Sequence, residues 1–231
     1  MKSVATYANG CLNETILREL ASYDLRCPEI AVFTRMQGRN YVVTSDLSSF
    51  HWSRQYEFTW AVLESNLTHQ DCVLDAGGGY SVLQYALAKR CKNVKILDPN
   101  KDYLKIAEKT AKTLEINNIE LINGTIENYQ NPHQFDKIFC ISVLEHIKEK
   151  ELRMMCIEKL IKMLKPDGQL FFTFDVVMKA GSEIYDFYVD RYEAVEILKK
   201  LKADMPLDDQ ITVGSFPNGC ILAAMCVKVE L

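Results

Sequence analysis

Apolar and polar positions change their period along this chain. From about residue 71 onward, short apolar runs alternate with stretches whose apolar residues recur every three or four positions. Residues 72–75 read as a strand, and 81–90 as a helix with Val82, Leu83, Ala86 and Leu87 on one side. A second strand over 94–97 ends in Asp98-Pro99-Asn100, where Asn100 can cap a helix running to about residue 116 through Leu104, Ala107, Ala111 and Leu114. Residues 119–122 form a third strand, stopped by Asn123-Gly124. The almost unbroken apolar run over 135–143 suits a fourth strand covered on both faces. A helix over 150–164 is broken by Lys165-Pro166-Asp167-Gly168 before a fifth strand over 169–174.

Strands alternating with helices predict an α/β fold, a doubly wound and mostly parallel sheet joined by right-handed crossovers. The end of the chain breaks that rhythm. Two strand-like runs, 211–213 and 220–230, are joined by Phe216-Pro217-Asn218-Gly219, so one strand is expected to enter the sheet antiparallel. The first 70 residues differ again. Leu12, Ile16, Leu17 and Leu20 mark an amphipathic helix, and Trp52, Tyr56, Phe58 and Trp60 gather aromatic rings just before the first core strand. We expect residues 1–70 to be a helical N-terminal cap or lid and 71–231 the core.

Composition narrows the picture only modestly. The 231 residues are 48% hydrophobic and carry 27 basic against 31 acidic side chains, a net charge of −4. That balance lacks the cationic footprint of a nucleic-acid binder. The eight cysteines contain no Cys-x-x-Cys, and several lie in apolar runs, as buried free thiols do in a reducing compartment. The four histidines show no zinc spacing, so no metal is expected. The N-terminus has no sustained apolar stretch, and no segment reaches the roughly 20 apolar residues of a membrane span. A soluble, cytoplasmic protein is the expectation.

The chemistry concentrates at Val73-Leu-Asp-Ala-Gly-Gly-Gly-Tyr-Ser81, an apolar strand ending in an acid and running into a glycine turn. Ser81 and Gln84 have the spacing of a capping box for the following helix. A strand, a glycine turn and a helix N-terminus form a nucleotide-type pocket at the carboxyl edge of a sheet. Asp98, about 20 residues past the turn, is placed to accept ribose hydroxyls. Gly77 is expected to floor the pocket, so that a side chain there would fill ligand space. The nearest dinucleotide register, Gly77-x-Gly79-x-x-Val82, lacks the final small residue.

Taken with Leu-Asp-Pro-Asn at 97–100, Phe-Asp-Lys-Ile-Phe at 135–139, Ser-Val-Leu-Glu-His-Ile at 142–147 and Leu-Lys-Pro-Asp-Gly at 164–168, the chain over about 54–231 resembles the class I S-adenosylmethionine-dependent methyltransferases. The resemblance implies a seven-stranded sheet with an antiparallel C-terminal strand, and S-adenosylmethionine as cofactor. It puts Asp75, Ala76, Gly77, Gly78 and Gly79 against the methionine end, Asp98 on the ribose and Pro99 on the adenine. Thr125 and Ile126 border the adenine edge, although many members have an aspartate where Thr125 stands. Ser142 and Val143 face the sulfonium. By the same resemblance Arg54, Glu57 and Trp60 fold over the cofactor, with Arg54 reaching its carboxylate. Tyr185, Asp186 and Tyr188 lie where the family often builds its acceptor site.

Glu145 and His146 have two readings, a catalytic acid and base at the pocket mouth or a helix-start carboxylate and a packed histidine. The expected activity is methyl transfer to a small-molecule or other soluble acceptor. Two alternatives remain open at this point, a nicotinamide-dependent oxidoreductase on a similar sheet and a non-catalytic S-adenosylmethionine-binding protein. Nucleic acid is disfavoured as acceptor, because Ser-Val-Leu-Glu stands where amino-group methylases carry Asn/Asp-Pro-Pro-aromatic, and no Pro-Cys dipeptide is present.

Overall fold

A computed structural model describes residues 1–7, 13–26, 53–79, 81–180, 189–206, 213–215 and 220–231. In chain order its elements are β1 (Lys2–Tyr7), α1 (Glu14–Arg26), α2 (Arg54–Ser65), β2 (Cys72–Ala76), α3 (Leu83–Ala88), β3 (Asn93–Asp98), α4 (Lys101–Thr113), β4 (Ile119–Asn123) and β5 (Phe135–Ile141). A 3-10 turn (Leu144–His146), α5 (Lys150–Met163), β6 (Leu164–Lys179), α6 (Arg191–Leu201), β7 (Val213–Ser215) and β8 (Ile221–Glu230) follow. Seven strands lie on one path, β1-β8-β6-β5-β2-β3-β4, and the short β7 also pairs with β8 to make an 8-stranded sheet.

Neighbours from β4 to β6 are parallel, whereas β8 runs antiparallel to β6, β1 and β7. The winding reverses between β2 and β5, which opens a crevice at their carboxyl ends. Alternation along the strands sends side chains to two cores. Leu74, Ile138, Phe172 and Met225 pack with α5 and α6, while Val73, Ile96, Phe139 and Phe171 pack under α1 to α4. Asp75 and Thr173 therefore belong to the second face, because each is two residues along its strand from a member of it, Val73 and Phe171.

The N-terminal segment is not wholly helical. Lys2–Tyr7 pairs with β8 from Lys2↔Glu230 to Tyr7↔Met225 and closes that side of the sheet. The polar Lys2, Ser3 and Thr6 give this strand no apolar period, and its partner is at the other end of the chain. Helix α1 matches its apolar spacing, burying Ile16, Leu17 and Leu20. It is tied to the core by Arg90, whose guanidinium meets Glu19 at 2.5 Å, and by an edge-on contact of Tyr23 with Tyr85. Leu12, Trp52, Ile211 and the turn 216–219 lie outside the described residues.

Asn100 caps α4 as its position predicts, accepting from the amides of Asp102 at 2.9 Å and Tyr103 at 3.3 Å. The capping box at Ser81 does not form. Ser81 accepts from the Leu83 amide at 3.1 Å, but Gln84 is fully buried and neither end of its amide has a hydrogen-bond partner. Tertiary packing of the six-residue α3 between its neighbours overrides the local signal.

Helix α6 lies in a stretch whose Ala194, Ile197, Leu198 and Leu201 carry a helical period, and Asp190 caps it by accepting from the Glu193 amide at 2.8 Å. Arg153 of α5 donates from one nitrogen to both oxygens of Glu193 at 2.8 Å, and this pair is almost wholly buried. Removing one partner strands the other charge. Arg153→Ala should cost about 3 kcal/mol in urea unfolding, with Lys150, 3.6 Å from Glu193, limiting the loss.

Candidate functional site

The glycine turn leaves β2 at the switch point, and its conformation explains its composition. Gly77 and Gly79 have φ of +77° and +54°, values that side chains disfavour. A Cβ at Gly77 would lie 2.5 Å from Cγ2 and 2.8 Å from Cγ1 of Val143. Gly77 is therefore a point of contact with Val143, which corrects the expectation that a side chain there would simply fill ligand space. A Cβ at Gly78 would fall onto the Asp75 carboxyl group, 2.6 Å from its Cγ. The turn thus lies across Asp75 and against Val143.

Asp75 is 2% exposed, and its Oδ2 has no hydrogen-bond partner. Burial, with Asp98 nearby as the second cause, pushes its carboxyl group up to about 7. Asp98 ends β3 and is buried too, which raises its own pKa; the amides of Asn100, at 2.8 Å, and Gly79 act the other way. Asn123 braces this strand end by donating to the carbonyls of Asp98 at 3.1 Å and Pro99 at 2.9 Å. Pro99 is exposed on the rim. The edge of Tyr103 stands 3.3 Å from where a Cβ at Gly79 would sit, a pocket neighbour that the sequence pattern did not single out.

Two facing acids, one with an unpaired oxygen, around a turn held open by glycine suit a ligand that is positively charged and phosphate-free. A sulfonium with an amino-acid tail has that character, whereas a pyrophosphate would meet two carboxyl groups. Ala76 is wholly buried in the sheet. Thr125 and Ile126 follow β4; the Thr125 hydroxyl is buried without a partner, and Ile126 packs into the α5–α6 core.

A second set of polar groups lies where β5 ends beside the middle of β6. Glu57 of α2 is fully buried; Ser142 donates to its Oε1 at 2.7 Å, Thr173 to the same oxygen at 2.5 Å, and Arg54 to its Oε2 at 2.5 Å. Arg54 also donates to the Ser142 hydroxyl. Burial alone would raise the Glu57 pKa, but Arg54 and these hydrogen bonds hold it below the usual range. Burial likewise works against the charge of Arg54, and Glu57, Asp175 and Glu145 outweigh it. Ser142 has φ +51°, and its amide donates to the Thr173 hydroxyl at 3.0 Å.

The predicted residues are thus brought together unevenly. Arg54, Glu57 and Ser142 meet at the end of β5 beside Thr173, and Val143, the next residue, lies against Gly77 of the glycine turn. Trp60 instead rests edge-on against Phe171 at 5.8 Å and packs with Ala224 and Cys226, a sheet-packing role. Glu145 is buried near Asp175, whereas His146 is exposed and so is not a packed histidine. Thr173 and Asp175 were not anticipated; their alternation with Phe172, Phe174 and Val176 is the signal that would have found them. Tyr185, Asp186 and Tyr188 lie outside the described residues.

Two expected outcomes follow from the turn and its acid. Gly77→Val should lower stability by at least about 2 kcal/mol, through positive φ and the Val143 clash, measured by chemical unfolding. The folded chain keeps the Asp75 proton up to about pH 7, while the unfolded chain releases it near the ordinary carboxyl value of 3.8. This contribution is therefore full below that lower value and is lost as pH rises through about 7. The melting temperature should fall between pH 5 and pH 8, and Asp75→Asn should flatten part of that slope.

Comparison with known proteins places these features. Residues 73–168 match the model of a family described as methyltransferase domain. A ubiquinone biosynthesis O-methyltransferase of Aliivibrio fischeri is 28% identical over 148 residues, covering 63% of this chain and 61% of that protein. Its namesake in Vibrio cholerae is also 28% identical, over 63% of this chain and 58% of its own length. The chain thus spans less than two thirds of these relatives. Among solved structures, a SAM-dependent methyltransferase from Methanosarcina mazei shares the fold at a TM-score of 0.56 and 17% identity, covering 74% of this chain and 97% of the other. The N-methyltransferase NodS of Bradyrhizobium japonicum does so at 0.54 and 18%, covering 78% and 97%, and another structure of it contains S-adenosyl-L-homocysteine. The matched stretch carries the glycine turn and both strand-end acids, and around it the chain shares its fold with S-adenosylmethionine-dependent methyltransferases of known structure.

Proposed function

We propose that this protein transfers the S-methyl group of S-adenosylmethionine to a small-molecule acceptor. The observation that carries this reading is the Asp75–Asp98 pair around the glycine turn, buried carboxyl groups waiting for a positively charged, phosphate-free ligand. The names of the relatives support a small-molecule acceptor, since those proteins act in ubiquinone biosynthesis. The free cysteines among the described residues suit the cytoplasm, and no described helix is long and apolar enough to cross a membrane.

S-adenosylmethionine supplies a methyl group on a sulfonium, an electrophile with a good leaving group. What remains for the chain is to bind, orient and exclude water. Asp75 and the backbone of Gly77 to Gly79 would hold the methionine end, and Asp98 the ribose hydroxyls. Pro99 would cover the adenine ring, with Thr125 and Ile126 at its edge. Val143, pressed on Gly77, would shape the wall beside the reacting methyl group. Arg54 is engaged by Glu57 and Ser142, so its part in this reading is to position the end of β5 beside β6.

Calorimetric titration with S-adenosylhomocysteine tests the reading, and saturable one-to-one binding is expected. Asp98→Ala should weaken that binding by about 1–3 kcal/mol, because it removes a charged acceptor from two hydroxyls. Absence of binding by the folded wild-type protein would overturn the reading, and unchanged affinity in the variant would remove Asp98 from the site.

A further inference from the structure

Two acids remain without an assigned role. Glu145 and Asp175 are 2% and 4% exposed, and among the described residues neither Oε2 of Glu145 nor Oδ1 of Asp175 has a hydrogen-bond partner. Glu145 lies on the turn after β5, two residues beyond Val143, which presses on Gly77. Asp175 lies on β6, two residues beyond Thr173, and Thr173 pairs with Ile141, the last residue of β5. Strand β6 therefore carries Asp175 about 7 Å past the end of β5. Asp175 shares a sheet face with Phe171 and Thr173, the face on which α2 brings Arg54 and Glu57 to Ser142.

Among the described residues the charges in this cluster do not balance. Arg54 is the cation common there to Glu57, Glu145 and Asp175, and its hydrogen bonds to described residues go to Glu57, Ser142 and Ser53. Buried acids that serve structure alone normally have their oxygens satisfied. An ammonium group has what the pair lacks, a positive charge and three N–H donors. A phenol or alcohol fits less well, since an oxyanion developing between two acids would be repelled and Arg54 is already engaged.

We propose that Glu145 and Asp175 form the acceptor subsite and that the acceptor offers a basic amine to the methyl donor; this rests on the methyltransferase reading above. The amine arrives as an ammonium and gives one proton to a carboxylate of the pair. Its freed lone pair then forms the bond to the methyl carbon, while the carbon–sulfur bond breaks and its electron pair stays on sulfur. The products are an N-methylated ammonium and S-adenosylhomocysteine, and the carboxyl group returns its proton to solvent. Burial, then Glu57, raises Asp175 to about 7, so this carboxyl group can exchange a proton near neutrality, and burial, then Asp175, holds Glu145 well above the usual range.

The test uses the protein saturated with S-adenosylhomocysteine and three probes, methylammonium, 2-phenylethylammonium and the neutral 2-phenylethanol, followed by calorimetry and thermal melting. Both amines should bind saturably and raise the melting temperature, whereas the alcohol should do neither. The Glu145→Gln/Asp175→Asn double variant, and Asp175→Asn alone as a guard against misfolding, should lose at least about tenfold in amine affinity. Equal binding of the alcohol, undiminished amine binding by the folded variants, or no response to either amine would overturn the proposal. Failure of S-adenosylhomocysteine itself to bind would instead overturn the methyltransferase reading, and the two failures are distinguished by which titration is flat.

Discussion

The buried carboxylate of Glu57 is the interaction on which the arrangement of the site depends. A fully enclosed charge is tolerated only when its oxygens are met by donors and its charge by a counterion. Arg54, one helical turn before it, supplies the charge, and Ser142, just past β5, and Thr173, within the adjacent β6, supply hydroxyls. Helix α2 is thereby fixed across β5 and β6. The same bonds hold Ser142 in its left-handed conformation, and the next residue, Val143, meets the glycine turn. One carboxylate so links a helix before the core to the edge where the chemistry is expected.

Around that anchor the chain collects acids at the carboxyl edge of its sheet. Asp75 and Asp98 flank the glycine turn, while Glu145 and Asp175 stand beyond β5. Among these residues Glu57 is neutralised by Arg54, and the other groups bear the cost of burial as raised pKa values. Such groups lower the stability of the ligand-free chain above neutrality and gain when a cation arrives. That exchange of stability for binding is common at functional sites. Here it supports our proposals of a positively charged methyl donor at the glycine turn and a basic acceptor beyond β5.

Much of this was legible in the residues. The strand-and-helix rhythm from residue 71, the glycine turn, Asp98 and the Asn100 cap all report local physics, and each is found where its pattern places it. The antiparallel final strand followed from a hairpin without a helix. Other features were invisible because their causes are distant. Lys2–Tyr7 is a strand because β8 offers it an edge, and its own residues carry no such signal. Gln84 is drawn into the core although Ser81 invites it to cap. Trp60 belongs to an aromatic group near Arg54 in sequence, yet six residues along α2 it rests on Phe171.

The sequence by itself determined the fold class and the glycine turn with its strand-end acids, because periodicity, glycine at positive φ and acids at strand ends act within a few residues of one another. Tertiary structure decided which charges meet. Arg54 and Ser142 are 88 positions apart, and Thr173 and Glu57 are 116 apart. Only the packing of α2 on β5 and β6 brings Glu57 and Arg54 to Ser142 and Thr173 and leaves, among the described residues, Oε2 of Glu145 and Oδ1 of Asp175 without a hydrogen-bond partner. The energy of a buried charge depends on its neighbours in space, and in this protein those neighbours come from opposite ends of the fold.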